Sequence, residues 1–172
     1  MSDALGREFL NYSAQKLRQL GSRIQDCLQK LDDGQVWMRG SEQENAIANL
    51  VLHLSGNVRQ WLVAGVGGAP DRRDRDSEFA SRRGSKEELA AELLATVEDA
   101  CGVLAGVSAE RLLDRITVQH YDVTMMEAIY HVVEHFSGHT GQILFATKAL
   151  TSEDLGFHRH LRTTAPHTEP MP

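Results

Sequence analysis

The residues best suited to chemistry concentrate in one run, His131-Val132-Val133-Glu134-His135-Phe136-Ser137-Gly138-His139-Thr140-Gly141-Gln142. Three histidines recur there at intervals of four, among apolar residues at helical spacing. Four residues of α-helix turn a side chain by about 40°, so His135 and His139 share a face one turn apart. In that way one helix offers two imidazole nitrogens to a transition metal. By His139 the face has drifted about 80° from His131, so the three do not converge on one point. Two ligands leave a metal under-coordinated. The third candidate is His53, in Leu50-Val51-Leu52-His53-Leu54-Ser55-Gly56-Asn57.

A lone histidine in an apolar run is also the pattern of a hydrogen-bonded core residue, and His-xxx-His pairs also occur on solvated faces. What favours ligation is the company these residues keep. His53 stands between Leu52 and Leu54, while His135 and His139 are bordered by Val132, Phe136 and Ile143. Imidazoles buried among such neighbours cost free energy unless each nitrogen finds a partner. One shared metal satisfies all three.

Neighbouring polar residues extend the pattern. Asn49 and Asn57 flank His53 at minus four and plus four, as outer-sphere donors, substrate contacts or interhelical hydrogen bonds. Gln142, three residues past His139, is placed to orient its ring or to meet a substrate. Gly138 and Gly141 each cost up to about 1 kcal/mol against alanine in a helix interior, which predicts that a backbone or ligand comes close there. Glu134 points about 100° away from its neighbouring histidine and is not read as a general base. No Ser-His-Asp pattern, phosphate-binding glycine loop or Cys-xx-Cys motif competes with the histidines.

The 172 residues are 41% hydrophobic and 24% charged, the proportions of a soluble globular protein. No apolar run reaches the roughly 20 residues of a membrane span, and the N-terminus lacks a signal-peptide pattern, so a cytoplasmic location is expected. Cys27 and Cys101 fall far apart in apolar helical contexts and read as reduced, buried thiols. A formal net charge of −6 argues against phosphate-mediated binding of nucleic acid. The arginine-rich stretch 71–84 holds five arginines against four acids, a pattern read as a solvated loop.

Four amphipathic helices must position these residues. The first runs from about Ala4 to Leu31, ended by Asp32-Asp33-Gly34 with Gly34 in a left-handed cap. Val36, Trp37 and Met38 form an apolar connector, with Trp37 either capping the core or lining a pocket mouth. A second helix is expected from Ser41, where Ser41-Glu42-Gln43-Glu44 has capping-box form, and Gly65, Gly67, Gly68 and Pro70 stop it. Residues 65–85 read as irregular, either a functional lid or a linker. A third helix spans about Ser85 to Leu104 behind Ser85-Lys86-Glu87-Glu88, and carries no candidate ligand.

Ile116-Thr117-Val118 alternates as a strand, with His120-Tyr121-Asp122 following, which predicts a short extended excursion or small hairpin. His120 and Tyr121 are placed on an exposed loop. The fourth helix opens with the capping box Thr124-Met125-Met126-Glu127 and reaches about Leu150. Ser152-Glu153-Asp154-Leu155-Gly156-Phe157 reads as a short helical turn docking Leu155 and Phe157. His158 and His160 are discounted as ligands, and residues 161–172 read as a disordered tail after a single domain over 1–160.

Taken together, the Leu-His-Leu of the second helix and the His-xxx-His followed by Thr-Gly-Gln of the fourth resemble the DinB-like superfamily. Asn45-Ala46-Ile47-Ala48-Asn49-Leu50, His131-Val132-Val133-Glu134-His135 and Asp154-Leu155-Gly156-Phe157 are similar to a branch of small bacterial proteins without assigned function. The resemblance covers about residues 5–158. It implies an all-α, up-down-down-up four-helix bundle, often dimeric, with a divalent metal held by His53, His135 and His139. His131 would stand outside the metal shell as an accessory position, beside Asn57 and Gln142 in the outer sphere or substrate pocket. Zinc, nickel, copper and iron all suit imidazole.

Some members are thiol-dependent transferases or isomerases using bacillithiol, mycothiol or glutathione, so a small-molecule substrate and a thiol partner are implied. Three neutral ligands leave a metal an open position, which is the arrangement of catalytic rather than structural zinc. The expected function is a metal-dependent enzyme activating a thiol or water. The alternatives are a non-catalytic metal- or ligand-binding module of a stress response, and a dimer in which the histidines are structural.

Overall fold

The computed structural model describes residues 3–157. His158, His160 and the tail 161–172 lie outside the described residues. Among the described residues, six α-helices, a π-helical and a 3-10 segment and one two-stranded sheet make a predominantly helical bundle.

Helix α1 (Asp3–Gln29) buries Leu10, Leu17, Leu20, Ile24, Cys27 and Leu28 on one stripe. Leu5, expected on that stripe, is exposed. The chain then departs from the expected left-handed cap. Asp32 caps a short helix α2 (Asp33–Val36), its side chain accepting from the Gln35 N–H at 2.7 Å while the Gln35 side chain accepts from the Asp32 N–H at 2.9 Å. Gly34 lies inside α2, and Val36 is fully buried.

Helix α3 (Ile47–Val58) has its N-cap at Ala46, five residues later than the Ser41 motif predicts. The Glu44 carboxylate accepts from the Gly40 N–H at 2.8 Å, so the reciprocal bond of a capping box does not form. At Arg59 the helix widens into a π-helical segment through Val66, with the Gly67 N–H reaching back five residues to the Leu62 carbonyl. This change of pitch carries Trp61 and Leu62 into the core.

The stretch expected to be irregular holds a helix, α4 (Arg75–Ala80), with Asp74 accepting from the Ser77 N–H. Helix α5 (Lys86–Gly106) opens on the expected Ser85 capping box. A 3-10 turn (Ala109–Leu113) leads to β1 (Arg115–Val118) and β2 (Tyr121–Thr124), antiparallel with Val118 opposite Tyr121. The two turn residues, Gln119 and His120, both take positive φ, as a tight two-residue hairpin requires.

Helix α6 (Met125–Thr151) is capped by Thr124, whose side chain accepts from the Glu127 N–H while the Glu127 carboxylate accepts from the Thr124 N–H. It buries Ile129, Val132, Phe136 and Ile143. Residues 152–157 are not helical, although Leu155 and Phe157 do pack against the core. Helices α1 and α3 each pack against both α5 and α6. Among the described residues no helix is long and apolar enough to cross a membrane.

Because α6 carries His135 and His139, its N-terminal cap is a stability element of the site. Replacing Thr124 by Ala removes one half of the box and should lower unfolding stability by about 1 kcal/mol. Chemical denaturation should show a lower midpoint with an unchanged slope. An unchanged midpoint would mean that tertiary packing alone sets this helix start.

Candidate metal centre

Helices α3 and α6 face each other across the histidines. His53 Nε2 stands 3.1 Å from His135 Nε2, and the His139 ring meets both at centroid distances of 5.2 Å from His53 and 4.5 Å from His135. One potential ligand atom from each of His53, His135 and His139 lies within 4.8 Å of the other two. Tetrahedral zinc with bonds of about 2.0–2.1 Å needs nitrogens about 3.3 Å apart, close to the His53–His135 spacing. His131 lies off the trio. Its ring tilts against Trp61 at 4.4 Å and reaches His135 only at 5.6 Å.

What holds His53 comes from the short helix α4. Glu78 Oε2 is 3.0 Å from His53 Nδ1. Arg73 donates through Nε to Glu78 Oε1 at 2.7 Å and through Nη2 to Oε2 at 2.9 Å, while its Nη1 donates to Gln60 at 3.0 Å. Arg73 Nη2 also lies 3.0 Å from His53 Nδ1. One nitrogen cannot donate to the carboxylate and accept from the guanidinium together. An ionised Glu78 selects the donating form, Nδ1–H, which leaves Nε2 with its lone pair toward His135. Burial pushes the Glu78 carboxyl up, but the hydrogen bonds from Arg73 and His53 outweigh it and hold the group below the usual carboxylate range.

This ion pair fits because Gly56 lacks a side chain. A Cβ at Gly56, three residues past His53, would stand 1.9 Å from Glu78 Oε1 and 3.0 Å from Arg73 Nε. The Arg73 and Glu78 side chains are 4% and 9% exposed, so their charges are buried and depend on each other. The expectation of a solvated loop over 71–84 is therefore corrected, since part of that stretch is the inner wall of the site. Neither Glu78, Arg73 nor Gly56 was marked by helical periodicity. The available signal was the near balance of arginines and acids in the loop, together with a glycine one turn from His53.

The remaining candidates fall into place individually. Gln142 Oε1 is 2.8 Å from His139 Nδ1, which leaves the other ring nitrogen of His139 for the cluster. Asn49 donates to the carbonyls of Glu78, Phe79 and Ser81, fastening α4 to α3. Asn57 is buried and its Oδ1 has no partner among the described residues, as has none the buried Nδ1 of His135. His120 is exposed, as expected; Tyr121 is exposed and stacks on Trp61 at 6.3 Å. Among the described residues no protein atom beyond the adjoining helix backbone comes within 4 Å of a Cβ placed at Gly138 or Gly141, so no other backbone approaches there. Cys27 and Cys101 are free and buried, and burial pushes both thiols up, away from a nucleophilic role.

Electrostatics favours neutral imidazoles. Burial, and then the neighbouring His139 and His53, lower the His135 pKa to about 3, and burial also lowers those of His139 and His131. The unfolded chain therefore binds a proton at His135 that the folded, metal-free chain refuses. From this group, stability is fully present above the ordinary histidine pKa of about 6.5 and falls as pH drops from there toward 3. Thermal unfolding of metal-free protein should follow that slope, and His135→Gln should flatten it. Equal slopes for both proteins would place the acid sensitivity elsewhere. Gly56→Ala should expel Glu78 from its position and weaken zinc binding by about 10–100-fold, read by calorimetry. Unchanged affinity would remove Glu78 from the site.

No curated protein matches the chain. Among solved structures it superposes on one described as the crystal structure of the conserved protein of locus from Enterococcus faecalis, with a TM-score of 0.69. That match is 16% identical and covers 83% of this chain and 97% of the other, a likeness of fold. A family model described as protein of unknown function (DUF1572) matches residues 4–159. The chain accordingly belongs to the DUF1572 family.

Proposed function

We propose that His53, His135 and His139 hold a divalent transition metal, and that the protein is a metal-dependent enzyme acting on a small molecule with a thiol or water as nucleophile. The observation that carries the reading is the contact of Glu78 Oε2 with His53 Nδ1 at 3.0 Å: an ionised carboxylate accepts a hydrogen bond from Nδ1–H, which leaves the opposite nitrogen with its lone pair toward His135. A carboxylate behind a ligand histidine is the usual way a protein orients and enriches such a donor. Gln142 holds the His139 ring in the same manner. Three neutral donors suit zinc, nickel or iron and leave the ion's positive charge uncompensated. When bound, such an ion supplies Lewis acidity that brings the pKa of water or a thiol toward neutrality.

The DinB-like reading and its up-down-down-up path belong to the same proposal. Arg18 pairs with Glu98 while Gly6 approaches Ala109, which sets α1 against α5 in opposite directions. Arg59 pairs with Glu92 and Gly67 approaches Val103, which runs the π-helical continuation of α3 parallel to α5. These contacts support that order of helices.

Cobalt(II) loading tests the activity reading. The loaded protein should give the intense visible spectrum of a low-coordinate nitrogen site, and glutathione or another small thiol should add a sulfur-to-cobalt charge-transfer band. His135→Ala should abolish both signals. A cobalt spectrum indifferent to thiols, with no thiol- or water-dependent turnover in an electrophile screen, would reduce the protein to a metal-binding module.

A further inference from the structure

An opening lies past Gln142, along α6 from the histidines. It is a groove of about 590 Å³ between the α2–α3 connector and the C-terminal half of α6. Leu50, Phe145, Ala146 and Leu150 form its apolar wall, and Arg39 and Gln142 also line it. Phe145 and Met38 at its rim are 77% and 54% exposed, large apolar side chains without cover.

Arg39 is the unusual member. Its Nη2 donates to Asn49 Oδ1 at 2.5 Å and to the Phe79 carbonyl at 3.2 Å, both neutral acceptors. Its Nε is buried with no partner, and no carboxylate among the described residues forms an ion pair with it. A half-buried guanidinium beside an apolar wall, held through Nη2 by neutral groups and with its Nη1 making no hydrogen bond among the described residues, is a receptor for an organic anion. Glu44 also lines the groove, but it is exposed and its carboxylate accepts from the Gly40 N–H.

The groove is wired to the histidines at two points. Gln142 borders it and orients His139. Arg39 holds the carbonyl of Phe79, whose ring lies 4.8 Å from that of His53.

We infer that this groove binds an organic anion with an apolar body, its acidic group on Arg39 and its hydrocarbon against Phe145 and Leu150. A part for that anion in the chemistry of the metal centre would rest on the metal-centre reading, whereas the binding itself does not. Octanoate serves as the probe and octanamide as its neutral counterpart, titrated by calorimetry into the full chain without metal. Octanoate should saturate one site and bind more tightly than octanamide.

Charge-assisted hydrogen bonds contribute about 1.5–3 kcal/mol, so Arg39→Met should weaken octanoate about 10–100-fold and leave octanamide nearly unchanged. Glu44→Gln should tighten octanoate. Arg39→Met also removes bonds to Asn49 and Phe79, so Ala149→Trp, an exposed position lining the groove, provides an independent block that should abolish binding of both probes. Absence of saturable octanoate binding would overturn the inference, as would equal binding by wild type and Arg39→Met. It would also be overturned by a dimer that buries this face and that Ala149→Trp converts to monomer. Failure of the protein to take up metal, with octanoate binding intact, would sink the metal-centre reading alone.

Discussion

The site depends on one hydrogen bond, from His53 Nδ1 to the Glu78 carboxylate. It settles which nitrogen of His53 carries the proton, and with it which nitrogen faces α6. Everything around the bond serves to make it tolerable in a buried place. Arg73 neutralises the carboxylate through two donors, Gln60 steadies Arg73, and Gly56 leaves room for the carboxylate oxygen. Removing Arg73 or Glu78 alone would strand the other's buried charge, a loss of about 3–5 kcal/mol in comparable pairs. The short helix α4 is therefore as much a part of the site as the long helices that carry the imidazoles.

The long helices contribute rigidity. The histidines of α6 sit around Val132 and Phe136, which are fully buried and fix the roll of the helix against α1 and α3. His53 lies mid-helix in α3, ahead of the π-helical segment. That segment advances the register so that Trp61, two turns on, meets His131. A row of rings thus runs from Tyr121 through Trp61 and His131 to the trio. Burial keeps His131, His135 and His139 neutral, the state in which an imidazole has a lone pair to give.

Much of the frame was legible in the sequence because it follows from local rules. Ser85 and Thr124 begin their helices where three-residue spacing to a glutamate says they should. Alternation marked the hairpin before α6. The same rule misled at Ser41, where the glutamate found a nearer N–H at Gly40, and periodicity could not foresee a change of helical pitch at Arg59. The spacing of His135 and His139 and the isolation of His53 pointed to residues that the fold does bring together. Glu78 and Arg73 escaped notice for a physical reason. Their buried pair is closed by a loop of mixed charge, and composition cannot distinguish charges facing water from charges facing each other.

The most direct measurement is the metal content of protein purified without an affinity tag or added metal, beside the His53→Ala, His135→Ala, His139→Ala triple variant. The account predicts close to one equivalent of a transition metal in the native protein and none in a variant that retains its helical circular dichroism. A native protein that stays empty after incubation with zinc, nickel and iron, or a folded triple variant that loads equally well, would contradict it.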